Sequence, residues 1–126
     1  MTVAADILAL LERFGAAMPL PRVRALHLPP KPTPGDLRGE FCALALDDGS
    51  IGLSSVLRGD TWAGMPRDRA RLDPAGRPAL DVAQTYSGGD ALERTLAFAA
   101  VNALTRCLFD RAGFAPGASG DSIGNL

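Results

Sequence analysis

One stretch, Asp90–Arg111 (DALERTLAFAAVNALTRCLFDR), limits what this chain can become more than any other. Its centre, Thr95–Thr105, carries no charge. Leu92, Leu96, Ala99, Ala103 and Cys107 recur at helical spacing, while Phe98, Val101, Leu104 and Leu108 fill the remaining sides. A helix apolar nearly all round has core neighbours on most faces, so a buried helix is expected here. Asp90 and Glu93 have the spacing of a capping box, Gly88–Gly89 precede them, and Gly113 stands where a helix C-cap would fall. At 1.5 Å per residue the helix would span roughly 33 Å, about the width of a small domain. The other elements must therefore wrap around it.

What surrounds the helix follows from composition and local pattern. A chain of 126 residues with 47% apolar content has the length of one domain and enough material for a core. The formal net charge is -1, with both signs scattered along the chain, which argues against nucleic acid or an anionic membrane as the main partner. The start, MTVAADILALLERF, has acids and no basic segment, and no apolar run reaches membrane-spanning length, so a cytoplasmic address is expected. Cys42 and Cys107 each sit inside an apolar pattern and read as reduced core thiols.

In chain order, Thr2 caps a first helix with an apolar stripe of Val3, Ile7, Leu10, Leu11 and Phe14, with Asp6, Glu12 and Arg13 outside and Gly15 to Pro19 ending it. Arg22–Leu28 alternates like a strand flanked by prolines, as edge strands are, and Pro29–Arg38 is a stiff proline-rich loop. Glu40–Leu57 (EFCALALDDGSIGLSSVL) is two strand-like runs joined at Asp48–Gly49, a dipeptide suited to a type I′ turn. Counted outward from that turn, Leu46 meets Ile51 and Leu44 meets Leu53 on a large apolar face, while Ala45 meets Gly52 and Ala43 meets Ser54 on a small, flat one. Such a hairpin asks for cover on both sides. Arg58–Pro78 is a long loop holding the single tryptophan, Trp62, and Pro78 opens a short helix, Ala79–Tyr86, with Leu80, Val82 and Ala83 inward. The tail after Gly113 resembles a cut connection. The expected class is α+β, in the order helix, strand, strand, strand, helix, helix.

Chemistry is sparse in the residues themselves. His27, Cys42 and Cys107 are the soft-metal ligands, in none of the usual ligand spacings. Asn102, a carboxamide in the uncharged part of the long helix, must find hydrogen-bond partners, whether by bracing a backbone or by lining a ligand pocket. With one histidine and no GxSxG elbow, a serine or cysteine hydrolase is disfavoured. Gly117–Gly124 (GASGDSIG) offers glycines, hydroxyls and Asp121 without a Walker lysine. Arg58, Arg67, Arg69, Arg71 and Arg77 interleave with Asp60, Asp68 and Asp73, as in a solvated loop, and Trp62 either covers a pocket or plugs a core.

Three stretches together resemble the leading domain of unknown function of the "putative heavy-metal chelation" proteins: Glu40–Leu57, Tyr86–Leu104 (YSGGDALERTLAFAAVNAL) and Asp121–Leu126 (DSIGNL). The resemblance implies a fold like the N-terminal domain of enolase, a three-stranded antiparallel meander packed on helices. It further implies a Rossmann-like second domain, absent from this chain, with a site at the junction of the two and a role in binding a heavy or transition metal ion or a small ligand. Asp121 and Ser122 would then lie near that junction, approached by Asn102 and the Gly88–Gly89 turn. Three readings follow. The first is a non-catalytic domain that supplies an interface and a few polar groups, covered on its second hairpin face by a Rossmann-like domain or a separate chain, and prone to form homo-oligomers. The second is a small enzyme with a pocket under the Arg58–Pro78 loop, beneath Trp62, using Asp60 or Asp121 as acid or base. The third is direct metal binding by His27, Cys42 and Cys107.

Overall fold

A computed structural model describes residues 2–28, 40–56 and 73–113. Along these the elements are α1 (Val3–Ala17), β1 (Val23–His27), β2 (Glu40–Leu46), β3 (Ile51–Val56), α2 (Ala79–Ala83), a 3-10 turn (Gln84–Ser87) and α3 (Ala91–Ala112). The three strands form one antiparallel sheet in the order β1-β2-β3. The chain therefore has the α+β class its sequence suggests. The expected loops at Pro29–Arg38 and Arg58–Pro78, the latter in its greater part, and the tail beyond Gly113 lie outside the described residues.

α3 is the helix expected from its uncharged centre. Asp90 accepts the amide of Glu93 at 2.8 Å while Glu93 accepts the amide of Asp90 at 3.3 Å, closing the capping box. Gly113 ends the helix in the left-handed region at φ 70, where a glycine meets no Cβ penalty. Leu96, Ala99, Ala100, Ala103, Leu104 and Cys107 are buried. The helix lies against the inner face of the sheet, and the closest approach is at Gly52 of β3. A Cβ at Gly52 would run into the carbonyl oxygen of Ala99 and the backbone nitrogen of Ala103. Alanines on the helix and a glycine on the strand let the two backbones meet where larger side chains would hold them apart.

The hairpin differs from the expected one by a single residue. Leu46 donates its amide to Ser50 at 2.8 Å and Gly49 donates to Leu46 at 3.0 Å, enclosing a three-residue loop of Asp47, Asp48 and Gly49. A type I′ turn would need positive φ at two residues, and among the described residues only glycines have it, Gly49 at φ 92. Asp48 instead keeps negative φ and uses its carboxylate, which accepts the Ser50 amide at 3.0 Å and the Ser50 hydroxyl at 2.9 Å. The extra loop residue shifts the pairing to Ala45 with Ile51, Leu44 with Gly52 and Ala43 with Leu53. A one-residue shift turns one strand over relative to its partner. The inner face is thus Cys42, Leu44 and Leu46 beside Ser50, Gly52 and Ser54, all buried. The outer face carries Phe41, Ile51 and Leu53, which are 61%, 55% and 50% exposed. Each face mixes large and small residues, in place of the large-against-small division expected from the type I′ register.

β1 holds a bulge between Val23 and Ala25, so Val23 and Leu26 both reach the core while His27 pairs with Ala43 on the outer face and is exposed. The outer edge of β1 is bonded to the chain entering α2: Val23 donates to Arg77 at 2.9 Å, Gly76 to Val23 at 2.9 Å and Ala79 to Pro21 at 3.1 Å. In α2, Ala79, Val82 and Ala83 are buried and Leu80 is half-buried.

α1 is also corrected in detail. It runs through Gly15 to Ala17, and the residues it buries are Leu8 and Leu11. Of the stripe expected to face the core, Val3, Leu10 and Phe14 are exposed.

Two stability predictions follow from the packing. Gly52→Ala should cost about 3 kcal/mol, the upper end for overpacking, because the obstructing atoms are helix backbone that cannot rotate away. Urea denaturation followed by circular dichroism would measure it. Leu10→Ser on exposed α1 should change the unfolding free energy of the monomer little, whereas Leu11→Ser, in the core, should lower it by roughly 2–5 kcal/mol.

Candidate functional site

The polar groups that the fold gathers lie at the hairpin loop, beneath the last turns of α3. Two of the four are brought there by the loop and two by the helix. The loop brings Asp48 and Ser50 together as an Asx-type turn. Cys107 reaches the same point from α3, following Ala99 and Ala103 along the buried side of the helix, and its thiol donates to Asp48. Arg111, one turn further on, contributes positive charge to Asp48 and donates to the Pro19 carbonyl at 2.7 Å, tying the helix end to the α1–β1 connection.

This arrangement sets the protonation states. For Asp48, partial burial favours the neutral acid, but the Ser50 amide and hydroxyl, the Cys107 thiol and the Arg111 charge outweigh it and hold the carboxyl below its ordinary 3.8. For Cys107, burial first and the adjacent Asp48 carboxylate second push the thiol up to about 11. Cys42 is likewise pushed up to about 11 by burial, partly countered by backbone groups of Cys42 and Ser54. Both are protonated thiols at neutral pH. They are poor nucleophiles and poor metal ligands until a proton is removed.

Asn102 braces a backbone. Its side-chain amide donates to the carbonyl of Leu53 at 2.7 Å, on the strand at the edge of the sheet, from one turn along the helix seam that meets Gly52. The Gly88–Gly89 turn is held by the Gly89 amide donating to Thr85 at 2.8 Å and by Arg94 donating to the Gly89 carbonyl at 2.7 Å. A Cβ at Gly89 would sit 2.8 Å from Cβ of Glu93. The other expected site residues, Asp60, Trp62, Asp121 and Ser122, lie outside the described residues, as do Arg58, Arg67, Arg69, Arg71, Asp68 and Gly117–Gly124.

The structure does not bring His27, Cys42 and Cys107 together. His27 is on the outer face of the sheet, Cys42 on the inner face opposite Ser54, and Cys107 beside the hairpin loop. Among the described residues no three of His, Cys, Asp and Glu are grouped so as to hold a metal ion. Nor is any described helix long and apolar enough to cross a membrane.

The Asp48–Ser50–Cys107–Arg111 grouping was not foreseen from sequence. The Asp-x-Ser spacing announces an Asx turn, but nothing local connects that turn with a cysteine on α3.

The chain belongs to the family described as "Putative heavy-metal chelation", whose profile matches residues 38–105, more than half of its length. The match runs from the start of the hairpin to the middle of α3, so it covers both partners of the Gly52 contact. Nothing among the curated proteins or the solved structures matches the chain.

Two measurements test this chemistry. Neither thiol should react with Ellman's reagent at pH 8 in the folded chain, and both should react in denaturant, since burial and a pKa of about 11 leave little accessible thiolate. Because Asp48 titrates lower when folded than when unfolded, its stabilisation is complete above about pH 5 and is lost as pH falls through the ordinary 3.8 to the folded pKa. Asp48→Ala should therefore lower the urea midpoint at pH 7 and flatten the acid limb of the stability curve.

Proposed function

We propose that this chain is a non-catalytic domain that supplies an interface, and positions a few polar groups, in a protein handling a heavy metal or another small ligand. Membership of the family supports the metal-related part of this reading. The observation that carries the interface part is the outer face of the sheet. Phe41, Ile51 and Leu53 stand half or more exposed there, on strands whose inner face is fully packed. An apolar sheet face of this kind marks a surface meant for another layer. The occupant that fits the family reading is a Rossmann-like domain or a separate chain of that kind, with the ligand held between the two. That division also accounts for the chemistry: two protonated thiols and a single exposed histidine on separate parts of the fold make a scaffold for a site whose remaining ligands come from elsewhere.

The test is co-elution of this chain with a separately expressed Rossmann-like domain from the same family on size-exclusion chromatography. The wild-type chain should co-elute, and Ile51→Lys/Leu53→Lys should elute alone while keeping its circular dichroism spectrum. Equal binding by the variant would overturn the assignment of this face.

A further inference from the structure

The surface left over is on α1. Val3, Ile7, Leu10, Phe14 and Ala17 lie four, three, four and three residues apart, the spacing of a heptad seam, yet of these only Ile7, half-buried, touches the core, and the stripe as a whole does not hold α1 to it. Leu8 and Leu11 take that role, while Val3, Leu10 and Phe14 are 73%, 51% and 41% exposed. Ile7, Leu10 and Phe14 form one wall of an open groove of about 470 Å³, and Leu108, Phe109 and Ala112 of α3 form the other. Asp6 and Arg13 flank the stripe on the side away from the core, each at the position before a seam residue, Ile7 and Phe14.

We infer that α1 pairs antiparallel with α1 of a second copy of this chain, across a two-fold axis. The charges choose the arrangement. With Ile7 opposite Leu10 of the second copy, and Val3 opposite its Phe14, Asp6 of each copy faces Arg13 of the other, giving two complementary pairs. The alternative antiparallel register, one layer along, sets Arg13 against Arg13. A parallel pair would set Asp6 beside Leu11 of the second copy and Arg13 beside its Met18, leaving neither charge an opposite partner. In the favoured register the helix of the second copy also lies along the groove, so that Leu108 and Phe109 widen the contact beyond a bare two-helix seam. Pairing through α1 is independent of what covers the outer face of the sheet, since the two surfaces belong to different elements.

Sedimentation velocity on the full chain across the micromolar range tests this. The wild-type chain should sediment at twice the chain mass at the upper end, and Leu10→Asp should weaken the pairing by roughly thirtyfold or more. Leu10 is exposed, so that variant should keep the wild-type circular dichroism spectrum. The charges give a sharper test. Asp6→Arg alone and Arg13→Asp alone each place like charges at both pairs and should each sediment as monomers where the wild type is dimeric. An equimolar mixture of the two single variants restores both pairs and should form the mixed dimer. A monomeric wild type, a dimer untouched by Leu10→Asp, or a mixture that stays monomeric would overturn the inference. So would a dimer dissolved by Ile51→Lys and not by Leu10→Asp.

Discussion

The approach of the α3 backbone to Gly52 is the constraint on which the rest of the structure depends. The carbonyl of Ala99 and the amide of Ala103 occupy the space that any side chain at Gly52 would need, so helix and strand are in contact along their main chains. Close backbone approach of this kind needs small residues on both sides, and Ala99, Ala103 and Gly52 supply them. It brings Asn102 within 2.7 Å of the Leu53 carbonyl, so a polar residue in an otherwise apolar stretch serves the edge of the sheet. It also carries Cys107, two turns further along α3 from Ala99 and Ala100, to the hairpin loop.

The hairpin loop decides which side chains share the seam. Asp48 holds Ser50 by two hydrogen bonds and leaves Gly49 as the loop residue with positive φ, which makes the loop three residues long. In that register Gly52 faces the helix beside Leu44, and Ile51 and Leu53 face outward. With a two-residue loop, Gly52 would have turned outward and Leu53 would have been driven into the helix backbone. The same carboxylate that selects the register also receives the Cys107 thiol. Loop conformation, strand register and the state of a buried cysteine are thus linked through one side chain.

The distribution of chemistry over this frame is uneven. Among the described residues, three polar side chains in particular hold the fold: Asn102 on the sheet edge, Arg111 on the α1–β1 connection, and Thr85 on the carbonyls of Val82 and Glu93. Its two thiols are protonated and buried. Beside its exposed charged residues the frame also turns apolar side chains outward, on the outer face of the sheet and along α1. The family is described as "Putative heavy-metal chelation", yet among the described residues of this chain no three of His, Cys, Asp and Glu are grouped so as to hold a metal ion.

Sequence alone determined the elements whose cause is local. The uncharged run and the Asp90–Glu93 cap define α3, the alternation about Asp48–Gly49 defines a hairpin, and the burial of Cys42 and Cys107 follows from the apolar patterns around them. The α+β class comes from those patterns in order. Which face of each element is buried was decided by tertiary structure. Loop length set the hairpin register, the bulge in β1 turned both Val23 and Leu26 inward, and α1 docked through Leu8 and Leu11 while Val3, Leu10 and Phe14 stayed out. An amphipathic pattern records that a residue can be buried, and several of these elements carry two such faces. Only the approach of the neighbouring backbone, here α3 at Gly52, selects between them.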